Sequence, residues 1–155
     1  MFPKWQSPSM WAEDGENFFH FADTNGLRSL AIPIQGSMHV VPRLVMYIAT
    51  FFPIEKAVYF PLTVSALVFT CAISKFISND YSHLFPSRFA RLFFVLALFA
   101  IPGQNESLGN LGNIHWYLTL FCVFTLVKRV NKPFTLFEFF FWVFSVGSCG
   151  ELIVF

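Results

Sequence analysis

The feature that most constrains this chain is the run AVYFPLTVSALVFTCAISKFI at 57–77, mostly apolar and uncharged but for Lys75 near its close. A helix crosses a bilayer with about 20 apolar residues, and this run has that length. Three more apolar runs follow: RFARLFFVLALFAIP at 88–102, NIHWYLTLFCVFTLV at 113–127 and FTLFEFFFWVFSVGSCGELIVF at 134–155. A soluble chain of 155 residues has too little interior to hide four such segments. Its residues are 12% charged, against roughly 25% in ordinary soluble domains, and they include 23 Phe. These features predict an all-α, multi-pass transmembrane protein.

Residues 1–38 are polar and turn-rich, with Pro3, Pro8, Gly15, Gly26, Pro33 and Gly36. The pattern predicts a short helix over 13–25, stopped by Asn25-Gly26. Residues 39–52, HVVPRLVMYIATFF, are apolar but too short to span, which predicts an interfacial or re-entrant helix closed by Pro53. In the span at 57–77, Pro61 lies near the start, where a missing N–H costs least. The runs 88–102 and 113–127 span with the help of polar neighbours or a locally thin bilayer.

Basic residues set the orientation. Lys75, Arg88 and Arg91 lie between the first and second spans, and Lys128, Arg129 and Lys132 between the third and fourth. Both loops are expected on the cytoplasmic side, although Lys4, Arg28, Arg43 and Lys56 fall on the other. The loop around GQNESLGN and the N-terminal 38 residues then face outward, from a plasma (inner) membrane. An outward N-terminus with no preceding span, and a last apolar run that reaches Phe155 with no polar tail, fit a truncated product. No basic tract of the nucleic-acid-binding kind is present. Cys71, Cys122 and Cys149 sit inside apolar runs without metal-like spacing, as small packing residues do.

This topology puts two acidic clusters, WAEDGENFFHFAD and GQNESLGN, on one face. Glu13 and Asp14 offer a general base, or cation ligands if a third group joins, and Gly15 lets the backbone turn to expose them. The plainer alternative is that the acids favour a helix N-terminus through its dipole. Arg43 can fork onto a lipid phosphate or diphosphate, or snorkel to headgroups. His39 shares its helical face if the helix continues through Pro42. Around 101–118, IPGQNESLGNLGNIHWYL, the polar stretch exceeds a tight reversal, and irregular backbone at membrane depth is tolerated where it lines a watery cavity. Glu106, Asn110, Asn113 and His115 are the polar candidates there, with interfacial anchoring the alternative for NIHWYL.

WAEDG, HVVPR and GNLGNIHWYL, set among these spans, resemble the N-terminal half of bacterial multi-pass glycosyltransferases of the GT-C type, over about residues 9–150. Such enzymes transfer sugar from polyprenyl-phosphate donors to cell-surface polysaccharide. The resemblance implies a hexosyltransferase-type activity, with Asp14 (Glu13 as alternate) deprotonating the acceptor hydroxyl, often near a divalent cation. It makes Arg43 a contact for the donor phosphate and inversion at the anomeric carbon the reaction. Topology, rather than the resemblance, adds Glu106 and the Asn residues of NESLGN to the same cavity. The helix expected before the acidic loop, the later spans and a C-terminal domain are absent, which implies a truncated relative, inactive by itself. A small non-enzymatic membrane subunit or assembly partner is the alternative.

Overall fold

The computed structural model describes residues 10, 14–34, 37–100, 110–128 and 132–148. Among them every regular element is helical, and extended backbone pairs only in an isolated bridge between Ile34 and Ser37. The all-α expectation holds.

A π-helical segment, Asp14–Phe19, runs into α1, His20–Asn25, giving the described part of the helix expected over 13–25. Gly26 ends it at φ 56°, a value glycine reaches without a Cβ penalty. A 3-10 segment, Gly26–Ala31, follows, and then α2, Val40–Ala49, inside the predicted 39–52. Pro42 is the third residue of α2, where no intrahelical N–H is lost.

α3 (Ile54–Ala57) and α4 (Tyr59–Ser74) continue into a 3-10 turn, Lys75–Ile77. Together they form a helical stretch of 24 residues whose most apolar 18-residue window has mean hydropathy 1.8, the one described helix long and apolar enough to cross a membrane. α5 is Arg88–Phe99; α6, Ile114–Val127, follows a 3-10 turn at Leu111–Asn113; α7 is Leu136–Ser148. Over the described residues these last three are 12, 14 and 13 residues long. At about 1.5 Å per residue they extend roughly 18–21 Å, short of the ~30 Å hydrocarbon core. The expectation of several full spans is therefore met in length by Ile54–Ile77 alone among the described helices.

Ring contacts give the directions of packing. Phe69 meets Phe99 at 4.9 Å between centroids and Phe76 meets Phe94 at 4.8 Å, so α4 and α5 run antiparallel. Phe69 meets Tyr117 and Phe76 meets Phe124, so α4 and α6 run parallel. Phe121 stacks on Phe141 at 4.1 Å while Lys128 reaches Glu138, so α7 returns antiparallel to α6. The helices alternate in direction, and α2 lies across α4 and α7. Small residues bring α2 close, since a Cβ on Gly147 would come within 3.3 Å of Val40 Cγ2.

α7 is built inside out. It buries Glu138, Ser145 and Ser148 and exposes Phe137, Phe139, Phe140, Val143, Phe144 and Val146. α5 likewise buries Arg91 and Val95 while Phe89 and Phe93 are more than two-thirds exposed.

Where α4 and α6 end and α7 begins, the polar groups are closely matched. Glu138 accepts from Lys128 Nζ at 2.6 Å and pairs with Lys75, while Lys128 also donates to Pro133 O at 2.8 Å. Thr135 and Glu138 form a reciprocal cap: Thr135 N–H to Glu138 Oε2 at 2.8 Å, Glu138 N–H to Thr135 Oγ1 at 3.2 Å. Tyr81 O–H donates to Phe124 O at 2.7 Å. Arg91, 1% exposed, donates from Nε to Ile77 O (3.3 Å), from Nη1 to Phe85 O (2.6 Å) and Pro86 O (3.3 Å), and from Nη2 to Asn79 Oδ1 (3.0 Å).

Candidate functional site

At the opposite end the start of α6, the first helical residues and the start of α2 converge. The first residues of any helix have N–H groups with no intrahelical partner. Here the partner for α6 comes from far along the chain. Asp14, 2% exposed, accepts from Leu111 N–H on Oδ2 at 2.7 Å and from Gly112 N–H on Oδ1 at 3.0 Å. Asp14 is thus buried, and the expectation that Gly15 turns the carboxylate outward is corrected: Gly15 sits inside the π-helical segment. The dipole argument held a piece of the answer, but the helix start that Asp14 serves most directly belongs to another element. Only a glycine fits at 112 without adjustment, because a Cβ there would stand 2.9 Å from Asn110 Oδ1 and 3.6 Å from Asp14 Oδ1.

One turn beyond Asp14, Phe18 is buried with its ring 5.5 Å from the His39 ring and 6.0 Å from the Arg43 guanidinium carbon. His39 precedes α2 at φ 47°, ψ 44°, the only non-glycine at positive φ among the described residues. That conformation costs of order 1–3 kcal/mol in a non-glycine residue. Its carbonyl accepts Arg43 N–H at 3.0 Å, so the two residues are one turn apart. Ser148 of α7 accepts the N–H of Val41 at 3.0 Å and fixes the same helix start. The His39 ring lies 6.3 Å from that of His115, whose Nδ1 is 2.6 Å from Gly112 O and, facing a carbonyl, carries the proton. Burial first, then His115 and Arg43, push His39 below its ordinary value.

Arg43 is fully buried, yet its guanidinium makes one hydrogen bond, from Nη1 to Ser29 O at 2.5 Å. Among the described residues Nε and Nη2 have no partner and no carboxylate is within ion-pair distance. Burial lowers its pKa. Arg91 is an internal control, equally buried but with every side-chain nitrogen engaged. Beside Arg43, His39 Nδ1 and Asn110 Oδ1 are also buried without hydrogen-bond partners among the described residues. Other such atoms, the Ser65 and Ser145 hydroxyls and the Trp142 indole N–H, are neutral and belong to α4 and α7.

Of the residues picked from sequence, the structure brings Asp14, His39, Arg43, Asn110 and His115 to one end of the fold. Asn113 is there through its backbone, its N–H bonding Asn110 O at 3.2 Å, and its side chain makes no cap bond to α6. Glu13 and Glu106 lie outside the described residues, as does most of the polar stretch that prompted the cavity reading. Among the described residues no three His, Cys, Asp or Glu side chains are grouped to hold a metal, and both Asp14 oxygens are bonded to backbone. The described residues do not fit the divalent cation that the resemblance implies. Sequence reasoning overlooked Phe18, Ser29 and Ser148, which carry no chemical signature of their own. It also overlooked the Lys75–Glu138–Lys128 cluster, although a carboxylate inside an apolar run and the spacing Thr135-x-x-Glu138 both signalled it.

No family model, curated protein or solved structure matches the chain.

Proposed function

We propose that the chain is a multi-pass membrane protein whose outward-facing end binds the phosphate of a lipid-linked sugar, as a relative of GT-C glycosyltransferases. Lipid as solvent is supported by the inversion of α7, which buries its polar residues and exposes Phe, and by the apolar outer faces of α4 and α5. The alternating helix directions fit repeated crossings, with the shorter helices relying on flanking residues or a thinned bilayer.

The observation that carries the anion reading is the contrast between Arg43 and Arg91. A guanidinium is costly to bury unless its donors are satisfied. One of the two is satisfied by the fold, and the other holds two unused donor nitrogens beside a strained histidine. Planar, forked donors suit a phosphate oxygen pair. In this reading Arg43 holds the phosphate, and His39, Asn110 and His115 line its surroundings. Asp14, with Glu13 as alternate, is the base for the acceptor hydroxyl, and inversion at the anomeric carbon releases the lipid phosphate.

The test is retention of polyprenyl phosphate by the full chain in lipid nanodiscs, read by native mass spectrometry. Arg43→Gln is expected to lose the bound lipid phosphate while its helical circular dichroism persists. Equal retention by both proteins would sink the reading.

The engagement of both Asp14 oxygens by backbone favours a second reading, a small non-enzymatic membrane subunit with the acid as a clamp. Sugar transfer by the wild-type chain that Asp14→Asn abolishes, with Leu111 and Gly112 still protected from exchange, would exclude it.

A further inference from the structure

The same end of the fold holds a titratable group whose surroundings an anion would reverse in sign. His39 and Arg43 are one turn apart on α2 and both meet the ring of Phe18. The titratable groups that bear on His39 are His115, from α6, and Arg43. From the first helical segment it meets the uncharged Phe18, and Asp14, one turn earlier, is tied to the backbone of 111 and 112. α7 contributes the Ser148 hydroxyl, already bonded to Val41 N–H. With no anion present, His115 and Arg43 both oppose protonation of His39, and its buried Nδ1 has no hydrogen-bond partner among the described residues.

We infer that a tetrahedral oxyanion binds at Arg43 together with a proton, which His39 takes up from solvent to become the second cationic donor to that anion. The inference rests on the anion-site reading above and adds its regulation. An anion beside Arg43 cancels the repulsion that kept the imidazole neutral and gives its N–H groups an acceptor. By reciprocity, a proton that favours the anion is favoured by it to the same degree. For one coupled proton the affinity rises as pH falls, by at most about tenfold per pH unit. The αL conformation fits this use: Asn or Gly would adopt it with less strain, but neither can carry a charge.

Sulfate is the probe, since it is a tetrahedral dianion that does not titrate over roughly pH 5 to 8, where an imidazole does. The full chain in detergent is titrated calorimetrically with sulfate in buffers of different ionisation enthalpy, which counts protons taken up per anion bound. The expected result is close to one proton per sulfate near pH 6–7, with affinity rising several-fold per unit as pH falls. His39→Asn tolerates the left-handed backbone and cannot protonate; it is expected to keep sulfate binding but lose the proton uptake and the slope. Sulfate binding that depends on Arg43 but takes up no proton would overturn the coupling and leave the anion site standing. Uptake that persists in His39→Asn would overturn the assignment to His39. Sulfate binding indifferent to Arg43→Gln, or none, would remove the site itself.

Discussion

Removing the Asp14 carboxylate tests whether one side chain joins the first helical residues to the start of α6. Asp14 makes two charge-assisted hydrogen bonds, to Leu111 N–H and Gly112 N–H at 2.7 and 3.0 Å, and is buried. Hydrogen bonds to a charged group contribute about 1.5–3 kcal/mol each. Asp14→Ala leaves both N–H groups without that acceptor, so the expected loss is about 3–6 kcal/mol, less whatever water entering the gap restores. Asp14→Asn keeps one acceptor oxygen but turns an NH2 toward the other N–H, and should lose about half as much. The assay is unfolding of the purified chain in mixed micelles, with amide hydrogen exchange followed at 110–115. Leu111 and Gly112 should lose most protection in the Ala variant, while residues of α4 change little. Stability within about 0.5 kcal/mol of wild type, with protection at 111 and 112 retained, would refute the clamp.

Three other perturbations bear on the same architecture. Arg43→Met removes a buried charge whose donors the fold does not satisfy, so micelle unfolding should show a gain of about 1–2 kcal/mol, together with loss of sulfate binding; a clear destabilisation would mean that Arg43 is structural. Because His39 is held below its ordinary value of 6.5, the unfolded chain binds the proton more readily than the folded one. That contribution is absent above about pH 6.5 and erodes stability as pH falls below it. A pH series of unfolding midpoints should show the erosion in wild type and a smaller one in His39→Asn. Glu138→Ala leaves Lys75 and Lys128 facing each other with no carboxylate, and Lys128 is buried. A loss of about 3–5 kcal/mol in the same assay is expected for breaking such a buried cluster, and an unchanged midpoint would show that the lysines reach water.

Much of the scaffold was legible because apolar runs and breakers act locally. The run at 57–77 became α4 with its 3-10 extension, Asn25-Gly26 ended the first helix, and 39–52 contained α2. What could not be read was which polar group answers which. Asp14 looked like an exposed acid because its partners, two backbone amides nearly a hundred residues on, leave no mark on the sequence around it. The two arginines make the point more sharply. Arg43 and Arg91 are equally buried, and each sits in the first half of an apolar helix. The difference lies in the carbonyls of residues 77, 85 and 86 and the amide of Asn79, which a turn places around Arg91, whereas among the described residues only the Ser29 carbonyl meets the Arg43 guanidinium. A bound anion would complete for Arg43 what the chain itself completes for Arg91, and the strained histidine next to it is the residue best placed to help.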